Sequence, residues 1–532
     1  MTGSARGALD APDVLIVGAG PTGLLLALWL RRLGRRVRVV DRAAEPGTTS
    51  RALGVQARTL EQYRQLGVAD QIVARGLKFA AINLWVGGVQ RGHVMLGNLG
   101  GQLSPFPYVM TFPQDEHERL LIELLSREGV SVERPVELTG FVEEPDGVRA
   151  DLRLPDGATS RVAARYIAGC DGAHSAVREA LGEDFVGGTY DHLFYVADVR
   201  AHGPMMNGEL HVALDTEDLF AVFPLADADG AGGTRDVGRA RLIGTMPPEA
   251  EIGAGKKTLS WDDVSPELLR RLQIDVAEVR WFSTYRVHHR VAPNFRRGRA
   301  FLLGDAAHVH SPVGAQGMNT GLGDAVNLAW KLAAVLDARA DEALLDTYAS
   351  ERMAFAHRLV ATTDRAFVAA SSPTRWARFV RLTLVPLLMP PLFRFTLVRR
   401  LMFRTVSQLG IHYRQSAISD GRAGGVRGGD RLPWIRVDEK SAPDGDNHAV
   451  LAGLEWQVHV YGTPREDLRE TCAQRALPLH VFPLPASRRA RAGLRRDALY
   501  LVRPDGYVAW ADPDADPARL ETFLDRHGFR AR

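Results

Sequence analysis

The stretch VLIVGAGPTGLLLALWLRRLGRRVRVVDR, residues 14–42, constrains the fold of this chain more than any other. VLIV is a short continuous apolar run, as expected of a strand buried on both faces. It enters GAGPTG, after which LLLALWLRRLG keeps a helical apolar pattern until Gly34 stops it. VRVVDR is a second buried strand. Strand, glycine turn, helix and strand make a βαβ unit of a parallel sheet. Gly18, Gly20 and Gly23 fall on the G-x-G-x-x-G spacing. The first permits the tight turn, the second lets the backbone approach a pyrophosphate, and the third lets helix and strand touch. Pro21 and Thr22 open the helix, whose first N–H groups face the phosphate. Asp41, about twenty residues on, can accept from a ribose hydroxyl, with Arg42 beside it. The unit points to an adenine dinucleotide, and does not by itself separate NAD from FAD.

Bulk properties narrow the rest. At roughly 100–200 residues per domain, 532 residues suggest about three domains. A net charge of +3 with scattered arginines argues against nucleic acid. The two cysteines, Cys170 and Cys472, are far apart and form no CxxC, so neither a disulfide framework nor a metal site is expected, and a reducing cytoplasm fits. The polar N-terminus has no apolar signal core. The most apolar stretch, residues 380–403, is broken by Pro386, Pro390, Pro391 and Arg394. It falls short of a clean spanning run and reads as two packed helices joined at the prolines, so membrane contact is not the expectation; contact with a membrane surface or a greasy substrate is the alternative.

A second stretch, FLLGDAAHVHSPVGAQGMNTG at 301–321, ends a core strand in a carboxylate and follows it with a loop of glycines. A carboxylate there is costly unless something needs it. Glycines before a helix let backbone N–H groups approach a ligand. With the fingerprint, this segment resembles the second FAD-contact motif of the flavin-dependent aromatic hydroxylases, the para-hydroxybenzoate hydroxylase, phenol hydroxylase and polyketide hydroxylase group. The resemblance implies that Asp305, after Gly304, holds the ribityl chain. It also implies that the loop and helix start at Pro312, Gly314, Gly317, Met318 and Asn319 bring N–H groups to the flavin. Ala315 stands where the family commonly has a glycine. His308 and His310 are expected to serve loop structure.

Other strings continue the resemblance. GCDGAHSAVR at 169–178 is similar to the family's Asp-Gly motif, which implies Asp171, Gly172 and Arg178 near the pyrophosphate and the nicotinamide path. Arg51 is implied near a cofactor phosphate, and Gln114 near the flavin chain. On WFSTYRVHHRVA at 281–292, Tyr285 and His289 lie an even number of residues apart and share a strand face, as candidates for substrate or flavin contact. Phe220 and Phe223 fall where the family's sheet roofs the pocket. Leu53 stands where phenol hydroxylases often carry an acid, which puts carboxylate-assisted phenol deprotonation in doubt.

The expected architecture is α/β. A Rossmann-like FAD-binding domain spans 1–189 and 276–375, interrupted by a mostly antiparallel substrate-binding sheet at 190–275. A helical connector at 376–425 leads to a domain at 426–532 resembling the thioredoxin-like domain appended to phenol and polyketide hydroxylases. Its lone Cys472 argues for a structural role, and the resemblance carries the expectation of a homodimer. With one fingerprint and not two, NADPH or NADH is expected as a transient donor to the flavin site. The resemblance implies a monooxygenase that uses O2 and a flavin C4a-hydroperoxide to hydroxylate a phenolic or polycyclic aromatic compound. Baeyer–Villiger or epoxidising chemistry on the same scaffold stays open, as do a redox-reporting flavoprotein that binds a partner and a quinone-linked dehydrogenase.

Overall fold

The strands among the described residues form five sheets, three of them of six strands or more. The computed structural model describes residues 11–47, 52–96, 100–214, 219–226, 237–246, 259–311, 316–371, 374–437, 445–482 and 492–530. The first sheet has the spatial order Arg296–Arg297, Ala300–Leu302, Tyr166–Gly169, Val14–Val17, Val37–Val40, Val132–Glu133. Its pairings are parallel except at the Arg296–Arg297 edge. VLIV is wholly buried, as a doubly covered strand must be. The fingerprint helix Pro21–Arg32 and the helix Gly317–Leu336 pack together over it, with buried leucines and alanines between them.

The second sheet has eight strands, in the order His308–Val309, Asp275–Val291, Val186–His202, Val237–Thr245, Leu219–Pro224, Leu210–Leu214, Ala81–Val86, Val89–Met95. It is wider than the 190–275 stretch expected from sequence. The hairpin Ala81–Met95 joins it, with Ala81–Val86 running parallel to Leu210–Leu214. The positive φ values of Gly87 and Gly88 make that hairpin's turn. Tyr195, Phe220, Val222 and Leu242 point to the outer face, covered by Trp261, Leu268 and Leu272. Arg241, Asp198 and Phe223 lie on the opposite, inner face, toward the first sheet.

The helical connector comprises Arg375–Phe379, a π-helical turn Val380–Leu384, Val385–Leu392 and Thr396–Val406. Pro390 and Pro391 lie inside a helix. The break therefore comes after Leu392, not at the prolines, and the chain bends there by 110°. No single helix among the described residues is long and apolar enough to cross a membrane.

The last sheet already begins at Asp420–Ala423. Within it, Gln457–Val460, helix Glu466–Gln474 and Leu479–Val481 form a parallel βαβ unit. The antiparallel hairpin Leu499–Asp512 and helix Pro517–Arg526 follow. Cys472 is buried on the first of those helices, and burial pushes its thiol up to about 11.

The last unit is fastened to the first by buried charge. Arg503 donates to both oxygens of Glu351, at 2.7 and 3.0 Å, and to Asp505 at 2.6 Å. Lys331 reaches the same Glu351 at 2.9 Å. Burial alone would raise the Glu351 pKa, but Arg503 and Lys331 hold it well below the usual carboxylate range. Burial brings Lys331 down to about 8. A second tie joins Arg431 to Glu61 through both carboxylate oxygens.

Candidate functional site

The fingerprint turn is built as its sequence requires. Gly18 has φ +102°, and a Cβ there would sit 2.3 Å from the Cys170 carbonyl oxygen. A Cβ on Gly23 would lie 2.0 Å from the Gly18 oxygen. A Cβ on Gly20 would meet nothing within 4 Å. Gly20 is also the N-cap of helix Pro21–Arg32 and has no side chain capping its donors. Open space in front of uncapped N–H groups is what a pyrophosphate needs. The Asp41 carboxylate accepts from Ala19 N–H at 2.7 Å and Ala43 N–H at 2.8 Å, and meets Arg134 at 3.1 Å. It thus ties the glycine turn to the end of the second strand; Arg42 is exposed beside it.

The turn Gly304–Ala306 lies against this helix. A Cβ on Gly304 or on Gly321 would come 2.8 or 2.4 Å from Thr22 Oγ1, so both glycines are needed for close approach. Asp305 is exposed between the buried Gly304 and Ala306. What holds the turn is Asp324, wholly buried on helix Gly317–Leu336. It accepts from Gly304 N–H at 2.9 Å, from His308 Nε2–H at 2.8 Å and from Arg352 Nε–H at 2.6 Å. Burial would raise its pKa, but Arg352, with His308, outweighs that and holds the carboxyl below its usual range. Arg352 also donates to the Thr320 carbonyl at 3.0 Å and to Tyr413 at 2.8 Å. The expectation that His308 serves structure matches this geometry. His310 donates from Nδ1 to the Ser311 carbonyl at 2.8 Å, and burial brings it down to about 4.

At the N-terminus of helix Gly317–Leu336, Asn319 is buried and spends its amide on a neighbouring segment. Its Oδ1 accepts from Gln56 N–H at 2.9 Å and Thr59 Oγ1–H at 2.8 Å, and its Nδ2–H donates to Gly54 O at 2.9 Å. Nearest to a Cβ added on Gly317 is the His310 ring, at 3.8 Å. Met318 is half-buried against the core. The pinned segment also bonds Phe112 N–H to Leu53 O at 2.8 Å and Gln114 N–H to Ala52 O at 3.2 Å. The Gln114 side chain donates to Glu118 at 2.8 Å. Leu53 is buried. Arg51, Pro312 and Gly314 lie outside the described residues.

Asp171 accepts from Ser175 Oγ–H at 2.5 Å and Ala176 N–H at 2.7 Å, capping the helix Ala176–Ala180, and burial raises its pKa. Gly172, at φ +80°, faces open space. Arg178 is buried and buckles two turns together, donating to Ala306 O at 3.0 Å and Ala173 O at 2.7 Å.

Over this floor stands the inner face of the eight-stranded sheet. Arg241, 1% exposed, grips both oxygens of Asp198 at 2.6 and 2.7 Å and reaches Ala52 O at 3.4 Å. Thr111 Oγ1–H donates to Pro224 O at 2.9 Å. Phe223 is half-buried on this face. Phe220 is three residues away, so it points to the other side. It is wholly buried there with Trp85 and Tyr195, which corrects its placement in the pocket. Tyr285 stacks on Phe194, ring centroids 5.9 Å apart, and His289 packs on Tyr190 at 4.8 Å. Their strand pairs Arg290 with Val309 and Val291 with His308, which carries it to the start of the glycine loop.

Residues 11–363 match the family described as FAD binding domain, and residues 427–528 match the family described as aromatic-ring hydroxylase, C-terminal. The chain belongs to the FAD-dependent aromatic hydroxylases. The hydroxylase is 36% identical over 440 residues to the 6-methylpretetramide 4-monooxygenase of Streptomyces rimosus, covering 79% of this chain and 73% of that one. It is 32% identical over 523 residues to a rifampicin monooxygenase of Rhodococcus hoagii, covering 97% and 98%. Among solved structures it superposes on the anhydrotetracycline hydroxylase OxyS from Streptomyces rimosus with TM-score 0.76 at 29% identity, covering 98% of this chain and 100% of that one.

The hydroxylase is therefore a flavoprotein monooxygenase, with FAD as cofactor and NAD(P)H as the family's electron donor. FAD supplies electron transfer from the nicotinamide and activation of O2. The chain fits it: the open cradle at Gly20, the space before Gly172 and the exposed Asp305 suit phosphates and a polyol. The supporting groups were missed in the sequence. Asp324 in GLGDAVNLAW is the one carboxylate of its helix, set among apolar neighbours, and such a group needs a buried partner. That signal was legible. Arg352 and Arg241, which lie far along the chain from what they hold, left none.

Proposed function

We propose that this hydroxylase inserts one oxygen atom into a polycyclic phenolic substrate held between the flavin and the inner face of the eight-stranded sheet. The supporting observation is that face itself. Val212, Ala221, Phe223, Ile243 and Tyr285 all point inward and are only half-buried, in a protein whose outer sheet face is sealed. An apolar row left open beside a cofactor site suits a flat aromatic compound. The relatives named for tetracycline and rifamycin chemistry agree in size and class.

In this reading Gly18, Gly20, Gly23 and Asp41 hold the adenine half of FAD, and Asp305 holds the ribityl chain. The N–H groups from Gly317 to Asn319, at a helix start, stabilise negative charge on the reduced flavin ring. Arg178 and Asn319 act by fixing the backbone around the cofactor. Tyr285 and His289 line the route from sheet to flavin loop. Leu53 offers no carboxylate, so the substrate is taken in its electron-rich form without a base at that position. The domain limits follow the same reading, with the FAD unit split around the sheet.

The test is anaerobic stopped-flow bleaching of bound flavin by NADPH and by NADH, with and without a panel of phenols and polycyclic quinols. Strong acceleration by polycyclic phenols is expected. Bleaching that no aromatic alters, or oxygen-labelled products with opened rings, overturns the hydroxylation reading.

A further inference from the structure

Residues 365–419 contain nine arginines and neither an aspartate nor a glutamate, while the rest of the chain has more acids than bases. Its stretch 375–406 forms the bent helices between the flavin unit and the last sheet and holds seven of those arginines, of which Arg381 is buried. It also carries most of the large apolar side chains that the described residues leave in solvent. Trp376 is 70% exposed, Leu387 65%, Phe395 64%, Leu397 79% and Leu401 67%. Val89 and Met95, exposed on the strand against which Val385–Leu392 packs, border the same patch. Exposure on this scale is unusual for a surface that meets only water.

The buried side of these helices is firmly attached. Phe403 fills the space beside Gly100, where a Cβ would come within 2.2 Å of its ring. Gln316 Nε2–H donates to Val406 O at 2.9 Å, and Gln408 Nε2–H to Gln316 Oε1 at 2.7 Å. The exposed face is thus held rigidly to the start of the helix that we assign to the flavin.

We propose that this face docks on the surface of an anionic lipid bilayer. Its apolar side chains would enter the acyl boundary and its arginines would meet lipid phosphates. Aromatic and aliphatic groups flanked by arginine, with no acid, are the composition of an interfacial helix. The 110° bend suits helices that lie in the interface, and a segment that lies on a membrane need not be long enough to span it. A second copy is the weaker occupant, because a two-fold contact sets the same patch against itself and would bring arginine to arginine. Docking here goes beyond the hydroxylation reading and does not depend on it. It would put an apolar aromatic dissolved in the lipid next to the flavin helix.

The test is flotation of the full-length, FAD-loaded chain with phosphatidylcholine vesicles, and with vesicles in which roughly one lipid in three is phosphatidylglycerol. Binding to the anionic vesicles is expected to be at least about tenfold tighter, since each arginine at the surface adds about fivefold. It should weaken as salt is raised. Trp376→Ser and Leu397→Ser, made separately at exposed positions, should each weaken binding, and Arg394→Gln with Arg399→Gln should remove the anionic preference. Flavin absorbance and the thermal midpoint check that each variant is folded, and the comparison of two vesicles with the wild-type chain needs no variant. Absence of the wild-type chain from both vesicles overturns the proposal. So does anionic binding that survives every substitution, or a wild-type dimer in solution that Leu397→Ser dissolves.

Discussion

Asp324 and Arg352 form an ion pair with 2.6 Å between Oδ1 and Nε, both side chains essentially sealed from water. The other oxygen of Asp324 holds the Gly304 N–H and His308, so the pair sets the turn that presents Asp305. Arg352→Met leaves a buried carboxylate without its cation. It should cost about 3–5 kcal/mol of stability and weaken FAD retention more than substitution of an exposed arginine away from the site, such as Arg161. Thermal melts with and without added FAD measure both effects.

Gly18 and Gly20 should respond differently to the same methyl group. Gly18→Ala puts a Cβ into the Cys170 carbonyl at a positive φ, and should prevent folding of the flavin unit. Gly20→Ala meets no protein atom. It should leave the melting of the apoprotein unchanged while weakening FAD by about ten- to a hundredfold, as expected for losing hydrogen bonds to a charged group. Flavin fluorescence titration of the two variants separates the cases.

Phe220 and Phe223 offer a test of the two sheet faces. Phe220→Ala empties a sealed outer core and should cost about 3–5 kcal/mol, with KM for the aromatic substrate near that of the wild type. Phe223→Ala should cost less stability and raise KM. Steady-state kinetics beside denaturant melts decide it; a KM change for Phe220→Ala alone would reverse the assignment of faces.

Stability should fall in acid, beginning well above the carboxylate range. Burial holds His117 at about 3 and His448 at about 4, against an ordinary value of 6.5. A group depressed in the folded state contributes stability above its unfolded pKa and loses it as pH drops toward the folded one. The histidines therefore begin to cost stability below about pH 6.5. Glu61, held at about 2 against burial by Arg431, adds a second loss below about pH 4.5. The thermal midpoint should decline in two stages between these limits, and His117→Phe should flatten the first.

Local chemistry made much of the fold legible. Gly18 takes a positive φ and Gly23 packs on the Gly18 carbonyl, so the turn is specified largely within six residues, and the apolar run before it reads as a buried strand. The glycine pair after Val86 carried an equally plain hairpin signal, but its partner strand, Leu210–Leu214, lies more than a hundred residues on. Resemblance to the family's sheet puts both Phe220 and Phe223 on the pocket roof, but their odd spacing along one strand places them on opposite faces. Arg241 was beyond reach for another reason. Its pairing with Asp198 and the Ala52 carbonyl depends on where two sheets meet, which no local pattern encodes.

The cluster of Glu351, Lys331, Arg503 and Asp505 bears on how such a chain can be rearranged. Two families describe two stretches of it, which invites treating the last hundred residues as an interchangeable cassette. The buried charges forbid that. Cutting before the last sheet would strand Glu351 and Lys331 with half their counter-charges gone, and transplanting that sheet onto another flavin unit would do the same to Arg503. The boundary that matters for heredity and for engineering therefore runs through four side chains rather than through a linker, and the two stretches can be exchanged only as a matched set.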